Sequence, residues 1–277
     1  MRGRCPDCML PDGNLLSPST INHQLEPMIS VQQLSYYVPG KAVLKRLDLE
    51  VAKGETVAVM GLSGSGKSTL LKCLAGLLRP KSGRILIEDT DITAMTEDQM
   101  IPVRRRIGLV FQYSALFDSL TIFENVAFGL RRHRRLPAAR LRETVMGKLA
   151  VVGLPGVEDK YPSELSGGMQ KRAALARALA LDPDILLYDE PTAGLDPIMA
   201  AAIDELIVRM REDLSVTSVL VSHDIESIFR VASRAAMLHD GRIIAEGTPD
   251  EIRRSDNEII RQFVEGRSAG PIHPGAQ

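Results

Sequence analysis

One run of the chain, Gly61-Leu62-Ser63-Gly64-Ser65-Gly66-Lys67-Ser68-Thr69, has residue types and spacing that suit it to hold a polyphosphate. It fits G-x-x-x-x-G-K-[ST]. Glycines let successive backbone N–H groups turn inward on an anion. A helix starting at the end of the run adds the positive end of its dipole. Lys67 can reach β- and γ-phosphate oxygens, the Ser68 hydroxyl can sit on Mg²⁺, and Thr69 can bond a neighbouring phosphate oxygen. Three further positions suit the same chemistry, each closing an apolar segment: Gln112 after Ile107–Phe111, the pair Asp189/Glu190 after Ile185–Tyr188, and His223 after Ser218–Ser222. Asp189 can accept from Mg²⁺-bound water, Glu190 can polarise an attacking water, and His223 can bond the γ-phosphate. Gln112 can touch the metal or the water. Catalysis of this kind is mostly positioning and charge stabilisation.

These residues need a scaffold, and the sequence suggests one. Thr56–Met60 reads as a buried strand entering the glycine run, and Leu70–Ala75 continues it at helical spacing. Apolar strands separated by helices imply a parallel sheet covered on both faces, with ligands outside its carboxyl edge. The four polar strand ends then converge on one edge. The fold expected is α/β, a P-loop NTPase with a RecA-like parallel core. Before that core, Ile29–Val51 alternates around a Val38–Lys41 turn and reads as an antiparallel β subdomain. Residues about 113–167 lack strand patterning, carry helical runs at Ile122–Leu130 and Ala138–Val152, and read as a helical insertion. Tyr36 and Tyr37 precede the first turn. Either ring could stack on a base, and Tyr37 is carried as the candidate beside the alternative of ordinary packing.

The chain has 277 residues, with 34 Lys+Arg against 35 Asp+Glu, so its net charge of −1 argues against a dedicated nucleic-acid binder. No stretch approaches the roughly 20 apolar residues of a bilayer span, and no apolar signal core opens the chain. The expected location is therefore cytoplasmic, at the inner face of a membrane only through other subunits. Residues 1–27 are rich in proline and polar residues and read as a disordered tail, 28–265 as the ATPase domain, and 266–277 as a flexible tail. Cys5 and Cys8 make half of a zinc site with only His23 nearby, too few ligands to hold the metal. The basic run Arg131–Arg135 reads as a solvated face or a contact with anionic headgroups.

A second anion-binding turn, Leu165-Ser166-Gly167-Gly168-Met169-Gln170, precedes another helix. One chain already has its phosphate cradle, so a second serves best for another molecule's nucleotide. Together with the glycine run, Gln112, Ile185–Glu190, Gly194-Leu195-Asp196 and His223, in that order, this turn closely resembles the ATP-binding subunits of ABC transporters, over about residues 29–265. The resemblance implies ATP and Mg²⁺ as ligands and a head-to-tail homodimer with two ATP at its interface. Each ATP would lie between one copy's cradle and the other's Ser166–Gly168 turn, with Asp196 bridging the halves. Met169 stands where the family usually has glutamine.

The run Ala115-Leu116-Phe117-Asp118-Ser119-Leu120-Thr121 is similar to the ATPases of Mla-type lipid-asymmetry systems. That likeness implies phospholipid movement between inner and outer membranes, with integral-membrane permease subunits, a periplasmic lipid-binding partner, and no nucleic acid. Leu116 and Phe117 would form the groove for a permease helix. Other readings are the same engine on an amino-acid or other small-solute transporter, a soluble non-transport ABC ATPase, or a small-molecule kinase. The kinase would have no use for Ser166–Gly168.

Overall fold

A computed structural model describes residues 27–272. The tail expected over 1–27, with Cys5, Cys8 and His23, lies outside the described residues except for Pro27. The chain first forms two long strands, β1 (Pro27–Val38) and β2 (Lys41–Ala52), joined by the expected tight turn. With β4 (Ser82–Ile87) and β5 (Thr90–Asp91) they make a four-stranded antiparallel sheet in the order β2-β1-β4-β5. Its register slips at several points along β1, so the strand twists and bends over the core below it.

The second sheet is organised by β3 (Thr56–Met60), β6 (Ile107–Val110), β7 (Ile185–Asp189) and β8 (Thr217–Ser222). They pair in parallel, and β9 (Arg234–His239) and β10 (Arg242–Gly247) extend the sheet to the order β10-β9-β3-β8-β7-β6. Every residue of β3, β7 and β8 is buried, the apolar centres of the strands and the polar residues at their ends alike. Alternate residues face opposite ways. Val57, Val59, Leu187, Val219 and Val221 pack beneath the antiparallel sheet, while Ala58, Met60, Leu186, Tyr188 and Leu220 join the helical side.

The helices are α1 (Lys67–Leu74), α2 (Glu97–Arg105), α3 (Ile122–His133), α4 (Ala138–Val151), α5 (Gly167–Ala178), α6 (Pro197–Leu214), α7 (Ile225–Val231), α8 (Pro249–Arg253) and α9 (Glu258–Val264). Helices α3 and α4 lie where the helical insertion is expected. Three elements have no counterpart in the sequence reading. Helix α2 carries a full capping box between Thr96 and Gln99, but it contains Pro102 and buries only Met100. Helices α8 and α9 are too short for periodicity to declare them. The stretch expected as a flexible tail from 266 behaves otherwise in its described part. Ile272 is buried, its N–H donates to Gln262 Oε1 at 2.7 Å, and Gln262 Nε2 donates back to Ile272 O at 3.0 Å. A buried glutamine two-sidedly satisfied by one residue pins that segment.

Among the described residues no helix is long and apolar enough to cross a membrane.

Candidate active site

Strand β3 feeds the glycine run at Gly61, whose φ is +153°. A Cβ there would stand 2.2 Å from the carbonyl oxygen of Leu238 on β9, so only glycine fits. Gly66, at φ +109°, precedes α1; a Cβ there would stand 2.9 Å from Leu44 and 3.0 Å from the Val43 carbonyl. The loop is thus clamped between the two sheets with the amino end of α1 facing its hollow. Lys67 is buried. Its Nζ donates to Gly61 O at 2.7 Å and Leu62 O at 3.1 Å. Burial lowers its pKa, against the opposing pull of Glu190 and Asp189. The Ser65 hydroxyl is buried with no partner. It lies by Gly61 and not on the cavity that Lys67 and Ser68 line, so the fit to a phosphate rests on the glycine run, Lys67 and the amino end of α1.

The four strand ends do meet. Ser68, Gln112, Glu190 and His223 line, with the glycine run, one cavity of about 300 Å³. Asp189 closes β7 beside them, and the Ser68 hydroxyl donates to its Oδ1 at 2.8 Å. Among the described residues no three His, Cys, Asp or Glu side chains converge as a metal cluster. Ser68 and Asp189 nevertheless suit Mg²⁺, which takes few protein ligands and completes its shell with water and phosphate oxygens.

Glu190 has φ +48°, an uncommon conformation for a residue with a side chain. The turn swings its carboxylate away from the β7 axis toward β8. There Oε2 lies 2.9 Å from His223 Nδ1, accepts from Ser222 Oγ at 3.1 Å, and faces the His223 N–H at 3.3 Å. Oε1 stands 3.8 Å from Lys67 Nζ. His223 Nδ1 is engaged with the carboxylate, which leaves Nε2 for a ligand. Ser222 has no sequence signal, since it reads as one more strand residue.

Gln112 is half-buried and begins a rigid loop. Ser114 and Ala115 both have positive φ, and Arg177 of α5 donates to their carbonyls at 2.9 and 2.6 Å. Further on, the fully buried Asn125 accepts from Phe117 N at 2.8 Å and donates to the carbonyls of Phe117, Leu120 and Thr121 at 3.0–3.1 Å. The loop so held displays Tyr113, 86% exposed, and Phe117 against Phe128 with ring centroids 4.8 Å apart. Leu116 instead packs on the core.

The second anion turn lies elsewhere. Ser166 caps α5, with its Oγ accepting from Met169 N at 3.4 Å, and Gly167 is the first residue of the helix rather than a loop residue before it. Ser166 and Gly167 are exposed and do not line the 300 Å³ cavity. Gly168 is buried against Met199, Met169 packs on the core, and Gln170 spends its amide on the carbonyls of Pro162 and Leu165. Beside this turn runs the Leu195-Asp196 segment. Asp196 caps α6, accepting from Ile198 N and Met199 N at 3.0 Å each, and Ile198 is 80% exposed. Two helix amino ends and an exposed isoleucine thus share one surface.

Tyr36 packs on the core, and Tyr37 is 54% exposed at the end of β1. Neither lines the cavity, whose rim on that side is Val43, a residue the sequence reading passes over. The basic run divides. Arg131 lies over the Phe123 ring, Arg134 bonds Leu181 O and Asp182, and Arg132 and His133 share a hollow of about 480 Å³ with Arg104 and Arg105. That hollow sits where α2 and α3 both end, and Arg105 donates to the His133 carbonyl at 2.9 Å. Helix carboxyl ends account for basic side chains there. His133 has its pKa lowered by burial and by Arg105 and Arg132.

Comparison with known proteins identifies the family. Residues 44–193 match the ABC transporter family. The chain is 44% identical over 245 residues to the intermembrane phospholipid transport system ATP-binding protein MlaF of Haemophilus influenzae, covering 88% of this chain and 93% of that one. The probable ribonucleotide transport ATP-binding protein mkl of Mycobacterium tuberculosis is 40% identical over 254 residues, 92% of this chain and 71% of its own. Among solved structures, a dimeric ATP-binding cassette in a post-hydrolysis state with ADP and Pi superimposes with a TM-score of 0.75 at 33% identity, over 80% of this chain and 99% of that one. A component of the cbiONQ transporter complex of Clostridium perfringens gives 0.77 at 33% identity, over 87% and 96%.

Proposed function

The chain belongs to the ABC transporter family as an ATP-hydrolysing subunit, and on that premise we propose that it powers phospholipid transport between the inner and outer membranes. The likeness to MlaF over nearly the whole of both chains supports the cargo. In this reading the chain works at the cytoplasmic face of the inner membrane. It binds integral-membrane permease subunits through Tyr113, Phe117 and Phe128, and through them a periplasmic lipid-binding partner.

One observation carries the assembly: the chain's own cavity omits the Ser166 turn, which lies exposed beside Asp196 and Ile198. A cavity of about 300 Å³ is at the small end of ligand clefts. A second copy facing it head to tail would complete it with the partner's Ser166, Gly167 and Gly168. The glycine run and Lys67 hold the phosphates, Ser68 and Asp189 take Mg²⁺ with Gln112, Glu190 orients and activates the water, and His223 holds the γ-phosphate through the transfer. Tyr37, exposed outside the Val43 rim, is the candidate for contact with the base where it projects beyond the cavity. Mg²⁺ held by Ser68 and Asp189 would supply neutralisation of the developing phosphate charge. The domain is assigned to 28–265, with 113–167 as its helical part.

Purifying the chain with its partners from native membranes and measuring the accompanying lipid tests the cargo. Permease subunits enriched in phospholipid are expected. Permease subunits whose ATPase responds to ribonucleotides and not to phospholipid would favour the alternative raised by the likeness to the mkl protein.

A further inference from the structure

Helix α5 carries a lysine on its buried side. Lys171 is 7% exposed, and among the described residues its ammonium has no carboxylate in salt-bridge range; it donates instead to two main-chain carbonyls. One is the carbonyl of Gln112, at the end of β6. The other is that of Glu190, at the end of β7, 3.5 Å away. Burial lowers the pKa of this ammonium while the nearby charges of Glu190 and Asp189 oppose the change. A buried lysine is uncommon, because its rotamer freedom and hydration are both lost. Hydrophobic packing at this position would be met as well by methionine. The two carbonyls it holds belong to the two residues to which the proposed function gives the attacking water.

Five residues upstream, at the head of the same helix, stands Ser166, the exposed cap. Six residues downstream Arg177 holds the carbonyls of Ser114 and Ala115. One helix therefore fastens the whole loop from Gln112 to Ala115 and the turn at Glu190, and presents the second anion turn at its free end.

We propose that Lys171 is a positioning residue: it binds α5 to the ends of β6 and β7, so that Gln112 and Glu190 take their working positions only when the Ser166 turn is in its own. The partner half of this statement rests on the head-to-tail reading above. Strand ends already held by β8 and by Ser68 gain a crosslink to the helix that meets the other copy's nucleotide. Lys171 does not touch the phosphate cradle, so it acts on turnover and leaves nucleotide affinity alone.

Lys171→Met in the full-length chain, with Lys171→Arg beside it, tests this. Removing a buried ammonium relieves its desolvation and leaves two carbonyls short of a donor; these oppose each other, so Tm should stay within a few degrees. Expected results are a fall in kcat of tenfold or more, a KM for ATP within about threefold of the parent, and recovery of most of kcat in Lys171→Arg. A kcat within twofold of the parent in Lys171→Met would overturn the proposal. So would a loss of kcat matched by a large fall in Tm and unrecovered by arginine, since that marks a merely structural lysine. ATP-dependent dimerisation, followed by size-exclusion chromatography in a Glu190→Gln background, separates the two readings. If that chain fails to dimerise with ATP, the head-to-tail reading and the partner half of the proposal fall. If Lys171→Met keeps dimerisation and loses turnover, both stand.

Discussion

Replacing Glu190 by glutamine keeps the shape of the side chain and removes its charge and basicity. The Glu190 carboxylate does two things that the substitution separates. Oε2 is set by His223, Ser222 and a backbone N–H, and in the proposed function it is the acceptor for a proton from water. General-base assistance contributes about 10²- to 10⁴-fold. At about 1.4 kcal/mol per decade this is roughly 3 to 5 kcal/mol of barrier. Oε1 faces Lys67 at 3.8 Å. At an effective dielectric constant of about 20 the gross attraction is about 4 kcal/mol, before desolvation is subtracted. ATP must draw Lys67 away from that carboxylate and from the Gly61 and Leu62 carbonyls, and glutamine removes the first competitor. The expected outcome is therefore asymmetric. Phosphate release should fall by 10²-fold or more, while equilibrium binding of a fluorescent ATP analogue stays equal or tightens. Turnover within threefold of the parent would refute Glu190 as the base. Parallel loss of binding would refute the picture of Lys67 shared between carboxylate and phosphate.

Lys67→Ala should weaken ATP binding itself, by tenfold or more in the same titration, with little change in Tm because an incompletely solvated ammonium is lost along with its contacts. Ser166→Arg places a bulky cation on the exposed cap; in the Glu190→Gln background it should abolish ATP-dependent dimers on a sizing column while monomer binding of nucleotide persists, at a stability cost of about 1 kcal/mol for the lost cap. Cys73, buried on α1, has its thiol pushed up to about 12 by burial, so peptide mass mapping should find it unalkylated in the native chain at pH 8. Because the native thiol keeps its proton where the unfolded one, near 9.0, loses it, Cys73 should make unfolding easier as pH rises from about 9 to 12, a trend that Cys73→Ala should remove from denaturant titrations.

Much of this site is visible in the sequence because its chemistry and its burial coincide. Strands β3, β7 and β8 are buried on both faces, so their centres stand out as short apolar runs, and the residues ending them are obliged to lie on one edge of one sheet. The order of those strands is not visible, since β3 meets β8 across some 160 residues and nothing local records it. Helix α2 hides because its stabilisation is local, in the Thr96–Gln99 box and the Glu97–Arg104 pair, and it buries one side chain. Lys171 hides for the opposite reason: on a helix of mixed polarity, a lysine reads as solvated until two distant carbonyls are brought to it. The Gln262–Ile272 clasp depends on a single buried amide in a segment otherwise rich in glycine and proline, a composition that speaks for looseness.

The left-handed backbone at Glu190 has a consequence for how this chain can be altered in the laboratory. A residue with a side chain held there gives up about 1 to 2 kcal/mol that glycine would not. His223, one of the donors to its carboxylate, lines the open cavity, so water can take over that bond. A library of variants ranked only by heat resistance should therefore enrich Glu190→Gly early, and the most durable survivors would be inert. Screening for robustness in this subunit has to score phosphate release in the same round, because the position that limits one property sets the other.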